Sequence, residues 1–343
     1  MSESNSSDAA AAAAGRVSAG LHGFMMTQIL ATSVEVGVID AISGGSCSIS
    51  ELSASTGISE KMMRRFLPAL QGLEVVRVEG QRVALTELGA TLRSDVGTLA
   101  GLARLLGNEH YAAWAKLGTS LRTGESGFRV ALERDPWSVL DASPDQVDSL
   151  SRLSRRSTDF FFDEITHLID LPARSRIADI GCGDGSFLAK LVAQHAELRG
   201  IAFDQMSLLP IIRRTVHEYG VEAACAVRGG SFFEPLSISA DVFILKSVLH
   251  DWDDESAVTI LHRVRESMGG ASRLVVIEFS GEHKDDLLGA AMRDLNMLVL
   301  FGGADRSATE YTDLLVTAGF KVVREARGSS GILVVEAEVA TLP

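Results

Sequence analysis

One stretch near the middle of the chain, Arg176–Gly185 (RIADIGCGDG), constrains the fold more than any other. A short apolar run there breaks into three glycines at every second position, Gly181, Gly183 and Gly185, and a helical pattern (SFLAKLVAQH) follows at once. This order of strand, turn and helix opens a nucleotide-binding α/β domain. Glycine suits such a turn because a Cβ would hold a ligand away from the backbone.

The spacing of the glycines indicates which nucleotide the turn holds. It reads G-x-G-x-G, whereas the turn that seats a dinucleotide pyrophosphate reads G-x-G-x-x-G. S-adenosylmethionine (SAM), whose amino-acid end lies against such a turn, fits better. The next strand, 198–203, ends at Asp204, where a carboxylate can accept both ribose hydroxyls of an adenosine. Taken alone, Asp204 would be interpreted as a loop residue or a helix cap, but the glycine turn beside it favours a SAM site.

Composition excludes several classes of protein. A length of 343 residues suggests two domains, and 46% hydrophobic with 22% charged residues is typical of a soluble globular protein. The net charge of -13 argues against nucleic acid as the main partner, because phosphate binding needs a basic face. No apolar run approaches the ~20 residues of a membrane span, so we expect no membrane partner.

The N-terminal residues and the cysteines indicate the compartment. Residues 1–15 are small and polar, with no basic residue and no separate apolar core, which predicts a disordered lead-in and no secretory signal. Cys47, Cys182 and Cys225 are far apart and lack CxxC spacing, which indicates neither a disulfide framework nor a zinc site. We therefore expect a cytoplasmic protein without a bound metal.

Residues 16–98 have the pattern of a winged helix. Ser50–Thr56 and Ser59–Leu73 are predicted to form two short helices, each opened by a serine cap. Two short extended runs over residues 74–85, joined through Gly80, predict a hairpin. Helix, turn, helix and hairpin together often bind DNA.

The charge of this segment and the apolar run at its start favour another role. Residues 16–94 contain seven basic and seven acidic side chains, which is a poor electrostatic footprint for DNA. Leu21–Ile42 is too apolar for a lone exposed helix. We expect this segment to form the interface of a homodimer.

The rest of the chain is predicted to form a helical connector and an α/β domain. Residues 99–172 include one long amphipathic helix, Asp145–Ile169, and are expected to roof the cofactor site. Over residues 173–343 strands alternate with helices, and the candidate strands are 176–180, 198–203, 223–228, 241–245, 273–279, 321–325 and 332–336. Five alternating strands and a late pair predict a doubly wound, Rossmann-like α/β sheet with ligands at the carboxyl ends.

His250 is the candidate catalytic base. It follows the fourth strand of this domain, in LKSVLHDWDDE, and a neutral imidazole can take a proton near neutral pH. A catalytic imidazole needs a carboxylate to fix its tautomer, and Glu278 at the end of the fifth strand and Asp305 in FGGADRS are placed to supply one. Either acid could instead form a structural salt bridge with Arg293 or Arg306. Glu278 is the stronger candidate because its strand should neighbour that of His250.

These motifs together resemble those of a known family. The chain is similar to the SAM-dependent small-molecule O-methyltransferases of the caffeic-acid type and to their actinobacterial relatives that methylate aromatic antibiotics. The resemblance extends from about Leu21 onward. The motifs that carry it occur in the same order as in the family, and they are ELSASTG, LTELGATLR, LGTSLRTGES, DIGCGDG, FDQ, GGSFFEPL, LKSVLHDWDDE, DLNMLVLFGGADRS and LLVTAGF. The resemblance implies a methyltransferase domain behind a winged-helix dimerisation domain.

The resemblance also implies roles for individual residues. His250 would be the general base with Glu278 and Asp305 as partners, although the family usually has glutamate where Asp305 stands. The residues implied to hold SAM are Gly181 and Gly183 at the methionine part, Asp204 at the ribose, Phe232 over the adenine ring and Lys246 at the cofactor's rim. Ser231 replaces an aspartate that bonds the adenine amine in the family, and serine accepts a hydrogen bond there without charge.

The acceptor is expected to be a small aromatic molecule. By position, its site would be lined by Trp114, Phe161, Met292, Asn296, Met297 and Phe301. The methionines could equally be core residues. In the implied mechanism an acceptor hydroxyl attacks the SAM methyl in line while His250 removes its proton.

Three alternative functions can be compared with the residues, and the first of them stays open. A protein of the same fold could bind SAM without O-methylating, as a hydroxylase or decarboxylase-like enzyme or as a C- or N-methyltransferase. A winged-helix transcription regulator would share the N-terminal domain, but the even charge balance and the complete catalytic set weigh against it. A nicotinamide-dependent dehydrogenase does not agree with the glycine spacing.

Overall fold

The computed structural model describes residues 2–42, 44–95, 99–138, 144–282 and 286–340; side chains are described from residue 12 onward, except those of residues 144–150 and 153. The chain forms two compact units, Met1–Tyr111 and Ala112–Pro343. The connector expected over residues 99–172 is divided between the two units.

The first unit contains a three-stranded antiparallel sheet among helices. Its elements in order are α1 (Ser2–Glu35), α2 (Val38–Ala41), β1 (Ser46–Ser48), α3 (Ile49–Thr56), α4 (Glu60–Gly72), β2 (Val76–Glu79), β3 (Arg82–Leu85), α5 (Glu87–Ala90) and α6 (Ala100–Gly107), and α7 (Glu109–Trp114) follows. The strands are ordered β1-β3-β2. Two short helices followed by a β-hairpin confirm the predicted winged helix.

The helix starts in this unit follow from capping side chains. At α3 the Ser48 hydroxyl accepts the backbone N–H of Glu51, and the Glu51 side chain accepts the backbone N–H of Ser48. The predicted cap at Ser50 is therefore wrong, because the reciprocal box needs an acid three residues after the serine. At α4 the cap is Ser59, as predicted.

Helix α1 differs from the expectation for the N-terminal residues. The disordered lead-in predicted for residues 1–15 is helical from Ser2 onward, continuous with the rest of α1. The run Ala9–Ala14 explains the difference, because alanine has the highest helix propensity and follows directly into the helical pattern of residues 16–35.

The second unit is the α/β domain. Its elements are α8 (Leu117–Thr123), α9 (Gly127–Leu132), a 3-10 turn (Pro136–Ser138), α10 (Pro144–Leu168), β4 (Arg176–Ile180), α11 (Ser186–Gln194), β5 (Arg199–Asp204), α12 (Leu209–Glu218), β6 (Cys225–Gly229), β7 (Val242–Lys246), a 3-10 turn (Leu249–Asp251), α13 (Asp254–Ser267), β8 (Arg273–Phe279), α14 (Leu287–Phe301), α15 (Ala308–Thr317), β9 (Phe320–Arg327) and β10 (Ile332–Val339).

The order of the strands places the ligand crevice. The sheet runs β6-β5-β4-β7-β8-β10-β9, with β4 to β8 parallel and β10 antiparallel to both of its neighbours. The chain moves outward from β4 to β6 and then returns to the other side of β4 at β7. The crevice therefore opens beyond the carboxyl ends of β4 and β7, at the topological switch point.

Apolar layers cover both faces of this sheet. One face packs on α13 and α15 through residues such as Ile260, Leu261 and Leu315, and the other packs on α10, α11 and α12 through residues such as Phe162, Leu188 and Ile212. Burial on both faces explains why the parallel strands read as nearly continuous apolar runs. Among the helices that the structure describes, none is long and apolar enough to cross a membrane.

Candidate functional site

The glycine loop at the end of β4 forms a cradle whose backbone conformation side chains disfavour. Gly181, Gly183 and Gly185 all have positive φ, of 74°, 60° and 76°. A Cβ on Gly181 would lie 2.8 Å from Cγ2 of Val248, closer than carbon atoms pack. The loop is anchored by the Gly181 N–H, which donates to the carbonyl of Phe203 at 2.9 Å. These positions therefore require glycine, as the sequence predicted.

Asp204 lies beside this loop at the tip of β5. Its Oδ2 accepts the N–H of Gly183 at 2.7 Å and its Oδ1 accepts the N–H of Gln205 at 2.7 Å. Burial raises the pKa of Asp204 to about 6, against the opposing effect of these two hydrogen bonds. Each carboxylate oxygen keeps a free lone pair, so the group can accept hydroxyl donors from a ribose.

Aromatic side chains lie next to the loop on the other side. The Cε1 atom of Phe232 lies 3.5 Å from the position of a Cβ on Gly181. The Phe232 ring meets the edge of Trp252 with 5.7 Å between ring centroids. Ser231, at the start of the same turn, accepts the N–H of Phe233 through Oγ at 3.2 Å. Phe232, which the resemblance assigns to the adenine, thus lies against the glycine loop, and Ser231 precedes it in the same turn.

Two buried charged groups lie under the crevice. Burial lowers the pKa of Lys246 at the end of β7, while Asp179 and Glu278 oppose that shift. Burial raises the pKa of Asp179 in β4 to about 7, and within the described part of the chain its Oδ1 has no hydrogen-bond partner. A buried carboxylate oxygen without a donor is costly, so this oxygen is available to a polar ligand group.

His250 lies on the 3-10 turn after β7, within reach of three carboxylates. Its Nδ1 is 3.1 Å from Oδ1 of Asp305 and 3.4 Å from Oε2 of Glu278. Its Nε2 is 3.5 Å from Oδ1 of Asp251. The side chains of Glu278 and Asp305 are almost fully buried, whereas that of His250 is 15% exposed. His250 and Asp251, whose side chain is 12% exposed, are therefore the members of this cluster that a ligand can reach.

The carboxylates change the proton affinity of His250. Burial by itself would lower the pKa of His250, but Glu278, Asp251 and Asp305 outweigh burial and raise it to about 10. Burial raises the pKa of Asp251 to about 7, against the effect of His250, and burial also raises that of Glu278. These groups titrate as a coupled set. At neutral pH His250 of the free protein is therefore in its cationic imidazolium form.

Backbone contacts fix the position of the turn that carries His250. Oε1 of Glu278 accepts the N–H of Val248 at 3.0 Å and that of Leu249 at 2.8 Å. Ser247, just before, has a φ of 54°, which is strained for a serine. The strained residue ends β7 and turns the chain so that both N–H groups point at one carboxylate oxygen.

The loop after α14 closes on the same turn from the other side. The N–H of Ala304 donates to the carbonyl of His250 at 2.9 Å, and a Cβ on Gly303 would lie only 2.0 Å from that oxygen. Arg306 donates to the carbonyls of Leu249 and Trp252 at 2.9 and 2.7 Å. The loop thereby holds Asp305 against the imidazole.

Both kinds of pairing that the sequence left open for these acids occur in the structure. Glu278 and Asp305 both lie against His250. Arg306 pairs with Asp254 instead, at 2.7 Å. Arg293 approaches Asp305, with 3.7 Å between Nε and Oδ2, so Asp305 lies between the imidazole and a guanidinium.

The predicted acceptor residues lie in two groups. Trp114 donates through Nε1 to Oδ1 of Asn296 at 3.1 Å, and Phe301 stacks on Trp137 with 4.7 Å between centroids. Phe161 instead packs against Phe279, with 5.1 Å between centroids, and borders a small crevice. That crevice is also lined by Lys246 and Glu278.

The two methionines and the neighbours of Phe161 are placed differently. Met292 is 54% exposed, whereas Met297 is half-buried on the same helix, α14. In the run of three phenylalanines, Phe160 is exposed and Phe162 is core, so only Phe161 faces the crevice. The helical turn of 100° per residue separates the three rings, which the sequence could not assign without knowing the register.

Several residues of the site were missed by sequence reasoning. Asp251 follows His250 directly, and the only sequence signal for it was its place in LKSVLHDWDDE. Trp137, which stacks between Phe301 and Trp252, lies more than a hundred residues away from Trp252 and gave no signal. No group of metal-ligating side chains occurs among the residues described.

The switch-point crevice, the glycine cradle and the carboxylate at the tip of β5 are the features of a SAM-dependent methyltransferase. The O-methyltransferase domain family matches residues 114–321, and the O-methyltransferase dimerisation domain family matches residues 20–95. The chain therefore belongs to the O-methyltransferase family, as the sequence predicted. The second match supports a homodimer and places residues 20–95 in a dimerisation domain.

Characterised relatives agree over nearly the whole chain. The 2,7-dihydroxy-5-methyl-1-naphthoate 7-O-methyltransferase of Streptomyces carzinostaticus is 32% identical over 305 residues, 87% of this chain and 90% of that protein. The structure of mitomycin 7-O-methyltransferase has a TM-score of 0.89 at 30% identity, covering 97% of this chain and all of that one.

A further structure bears on the cofactor. An O-methyltransferase from neocarzinostatin biosynthesis, in complex with SAM and 2-hydroxy-5-methyl naphthoic acid, has a TM-score of 0.80 at 28% identity. It covers 91% of this chain and 95% of its own. SAM is thus the cofactor of the family to which this chain belongs, and the prediction of SAM is confirmed.

Proposed function

We propose that the protein transfers the methyl group of SAM to a hydroxyl of an aromatic, polyketide-like secondary metabolite in antibiotic biosynthesis, with His250 as general base. The observation that carries the proposal is the position of His250, whose Nδ1 is held by Asp305 and Glu278 at the rim of the switch-point crevice. The naphthoate named for one relative supports an aromatic acceptor.

The residues at the crevice fit SAM. Gly181 and Gly183 leave room for its methionine part, and the carboxylate of Asp204 can accept its ribose hydroxyls. Phe232, which packs on the edge of Trp252, would cover the adenine ring, and the buried Lys246 would lie beneath the cofactor. When bound, SAM supplies a methyl group made electrophilic by the sulfonium.

His250 has the proton affinity that a phenolic acceptor requires. A phenol has a pKa of about 10, and the pKa of His250 is also about 10, so transfer of the proton from acceptor to imidazole is close to balanced. Asp305 and Glu278 stabilise the imidazolium that results. General-base catalysis of this kind contributes roughly 10²–10⁴-fold.

The acceptor would be aligned by the aromatic walls. Trp114, Phe161, Met292, Asn296, Met297 and Phe301 are the proposed lining residues. Holding both reactants in line in a dry site supplies much of the remaining rate. The exposed face of Met292 is the most accessible part of this set.

Single-turnover transfer from methyl-labelled SAM to a panel of phenolic polyketides tests the proposal, with the wild type beside His250→Ala. Label on an acceptor hydroxyl, lost in the variant while SAM still binds, is the expected result. Label on carbon or nitrogen would replace O-methylation by another methyl transfer. Tight binding of SAM with no label on any acceptor would favour a non-methylating reaction and contradict the proposal.

A further inference from the structure

Arg293 lies beside the catalytic cluster and has no role in the reaction described above. It projects from α14, with its Nε 3.7 Å from Oδ2 of Asp305, and its guanidinium lies over the Phe279 ring at 5.1 Å from the centroid. Phe279 in turn meets the edge of Phe161. Arg293 therefore lies between the carboxylate that holds His250 and the aromatic wall proposed for the acceptor.

The donors of this guanidinium are not used by the protein. Within the described residues, Nε and Nη2 of Arg293 are buried and make no hydrogen bond. The 3.7 Å approach to Asp305 is an ion pair but too long for a hydrogen bond. Buried donors are almost always satisfied in folded proteins, so an unsatisfied pair at a site is a sign of a missing acceptor group. The side chain as a whole is 35% exposed, so the guanidinium lies at the border between the buried cluster and solvent.

The charges around His250 decide what that group can be. Asp251, Glu278 and Asp305 surround a single imidazole, so carboxylates outnumber the cations and an anion would be repelled there. Arg293 is the cation at the outer end of this row of charges. A guanidinium binds a carboxylate with two parallel N–H bonds, which offsets the repulsion and fixes the orientation of the ligand.

We infer that Arg293 binds a carboxylate of the acceptor, so that the preferred substrates are aromatic hydroxy acids that place a hydroxyl at His250 and a carboxylate at Arg293. This inference rests on the proposed function and adds the substrate class. Arg293 is a specificity-determining residue, and the edge-to-face pair of Phe279 and Phe161 packs against the aromatic ring that carries the two polar groups.

The test compares one aromatic ring system in three forms: 3-hydroxy-2-naphthoic acid, its methyl ester and 2-naphthol. The initial rate of methyl transfer and the equilibrium binding of each compound are measured for wild type, Arg293→Lys, Arg293→Met and the control Arg213→Met. Arg213 is an exposed arginine on α12 and takes no part in the site. Binding is measured without turnover, so the inference stays testable if none of these compounds is methylated.

The wild type should prefer the acid over both neutral compounds, in binding and in kcat/KM. Arg293→Met should weaken the binding of the acid, and lower its kcat/KM, by roughly 10- to 100-fold. The values for the ester and for naphthol should be nearly unchanged. Arg293→Lys should retain part of the preference, and Arg213→Met all of it.

Two results would overturn the inference. Equal binding of acid and ester by the wild type would show that no carboxylate site exists, even if naphthol is methylated and the proposed function stands. An equal loss for all three compounds in Arg293→Met would show that Arg293 only positions Asp305. If the acid binds through Arg293 but no compound ever accepts label, the proposed function fails while the binding site stands.

Discussion

His250 holds its proton to an unusually high pH, and this gives a residue-scale prediction. Because its pKa is raised to about 10, the imidazole is protonated at pH 7, and the base form grows as pH rises. We expect kcat/KM for a simple phenol to increase from pH 7 to pH 10. His250→Gln should lower it by roughly 10²–10⁴-fold.

A dinitro-substituted phenol, already ionised at neutral pH, serves as the control for this profile. Its methylation needs no base, so the loss in His250→Gln should be much smaller. An equal loss with both acceptors would contradict proton removal by His250.

The charge of Glu278 is one of the main causes of the raised pKa of His250. In Glu278→Gln the amide oxygen can still accept the N–H groups of Val248 and Leu249, so the turn keeps its shape. We expect the alkaline rise in kcat/KM to move to lower pH, because the imidazolium loses one of the negative charges that stabilise it. An unchanged midpoint would mean that Glu278 only supports the backbone.

Ser231 gives a prediction about the cofactor. If it faces the adenine amine, as the family resemblance implies, Ser231→Asp should tighten the binding of SAM about tenfold, because a charged acceptor bonds more strongly than a hydroxyl. Isothermal titration calorimetry measures the Kd. The control Ser239→Asp adds the same charge at an exposed position and should leave the Kd unchanged. No tightening would place Ser231 away from the adenine.

At the scale of elements, the loop after α14 and the turn after β7 are built as one unit. A Cβ on Gly303 would lie 2.0 Å from the carbonyl oxygen of His250 and 2.6 Å from the carbonyl carbon of Asp251. We expect Gly303→Ala to cost about 1–3 kcal/mol of stability and to displace Asp305 from the imidazole.

Chemical denaturation and the pH profile of kcat/KM measure both effects. The matched control is Gly269→Ala, whose nearest neighbour would be Oγ of Ser272 at an ordinary 3.6 Å. If Gly303→Ala were as stable as Gly269→Ala, the loop after α14 would be free to move away from the turn after β7, and the prediction would be wrong.

The elements also show where sequence patterns suffice. The strand at 176–180 and the long helix α10 follow from local periodicity, and the structure has them within one or two residues of prediction. The start of α3 differs from the prediction because the capping box depends on a second side chain three residues later. Helix α1 begins earlier than predicted because the helix propensity of the alanine run outweighs the polarity of the residues before it.

At the scale of the whole molecule, helix α1 carries an exposed apolar surface. Its exposed large apolar side chains are Val17, Leu21, Phe24, Met25 and Met26. Residues 20–95 match the dimerisation domain, which explains why this surface is apolar. We expect Leu21→Asp with Met25→Asp to convert the protein to monomers, as measured by analytical ultracentrifugation.

Met62→Asp is the control for that experiment. Met62 is 41% exposed on α4 of the same unit. Its replacement by aspartate therefore adds a charge at an exposed apolar position outside α1. Dissociation by the control, or a dimer that survives both changes on α1, would place the interface elsewhere.

The sequence by itself determined the class of fold and the cofactor turn, and it predicted that His250, Glu278 and Asp305 lie together. These depend on local order and spacing, which strand periodicity and glycine patterns encode directly. Only the tertiary structure decided that Asp251 faces Nε2, that Phe161 alone of its run faces the crevice, and that Arg293 lies unsatisfied beside Asp305. Those contacts join elements far apart in the chain, where helix register and the path of each loop set distances that no local pattern contains.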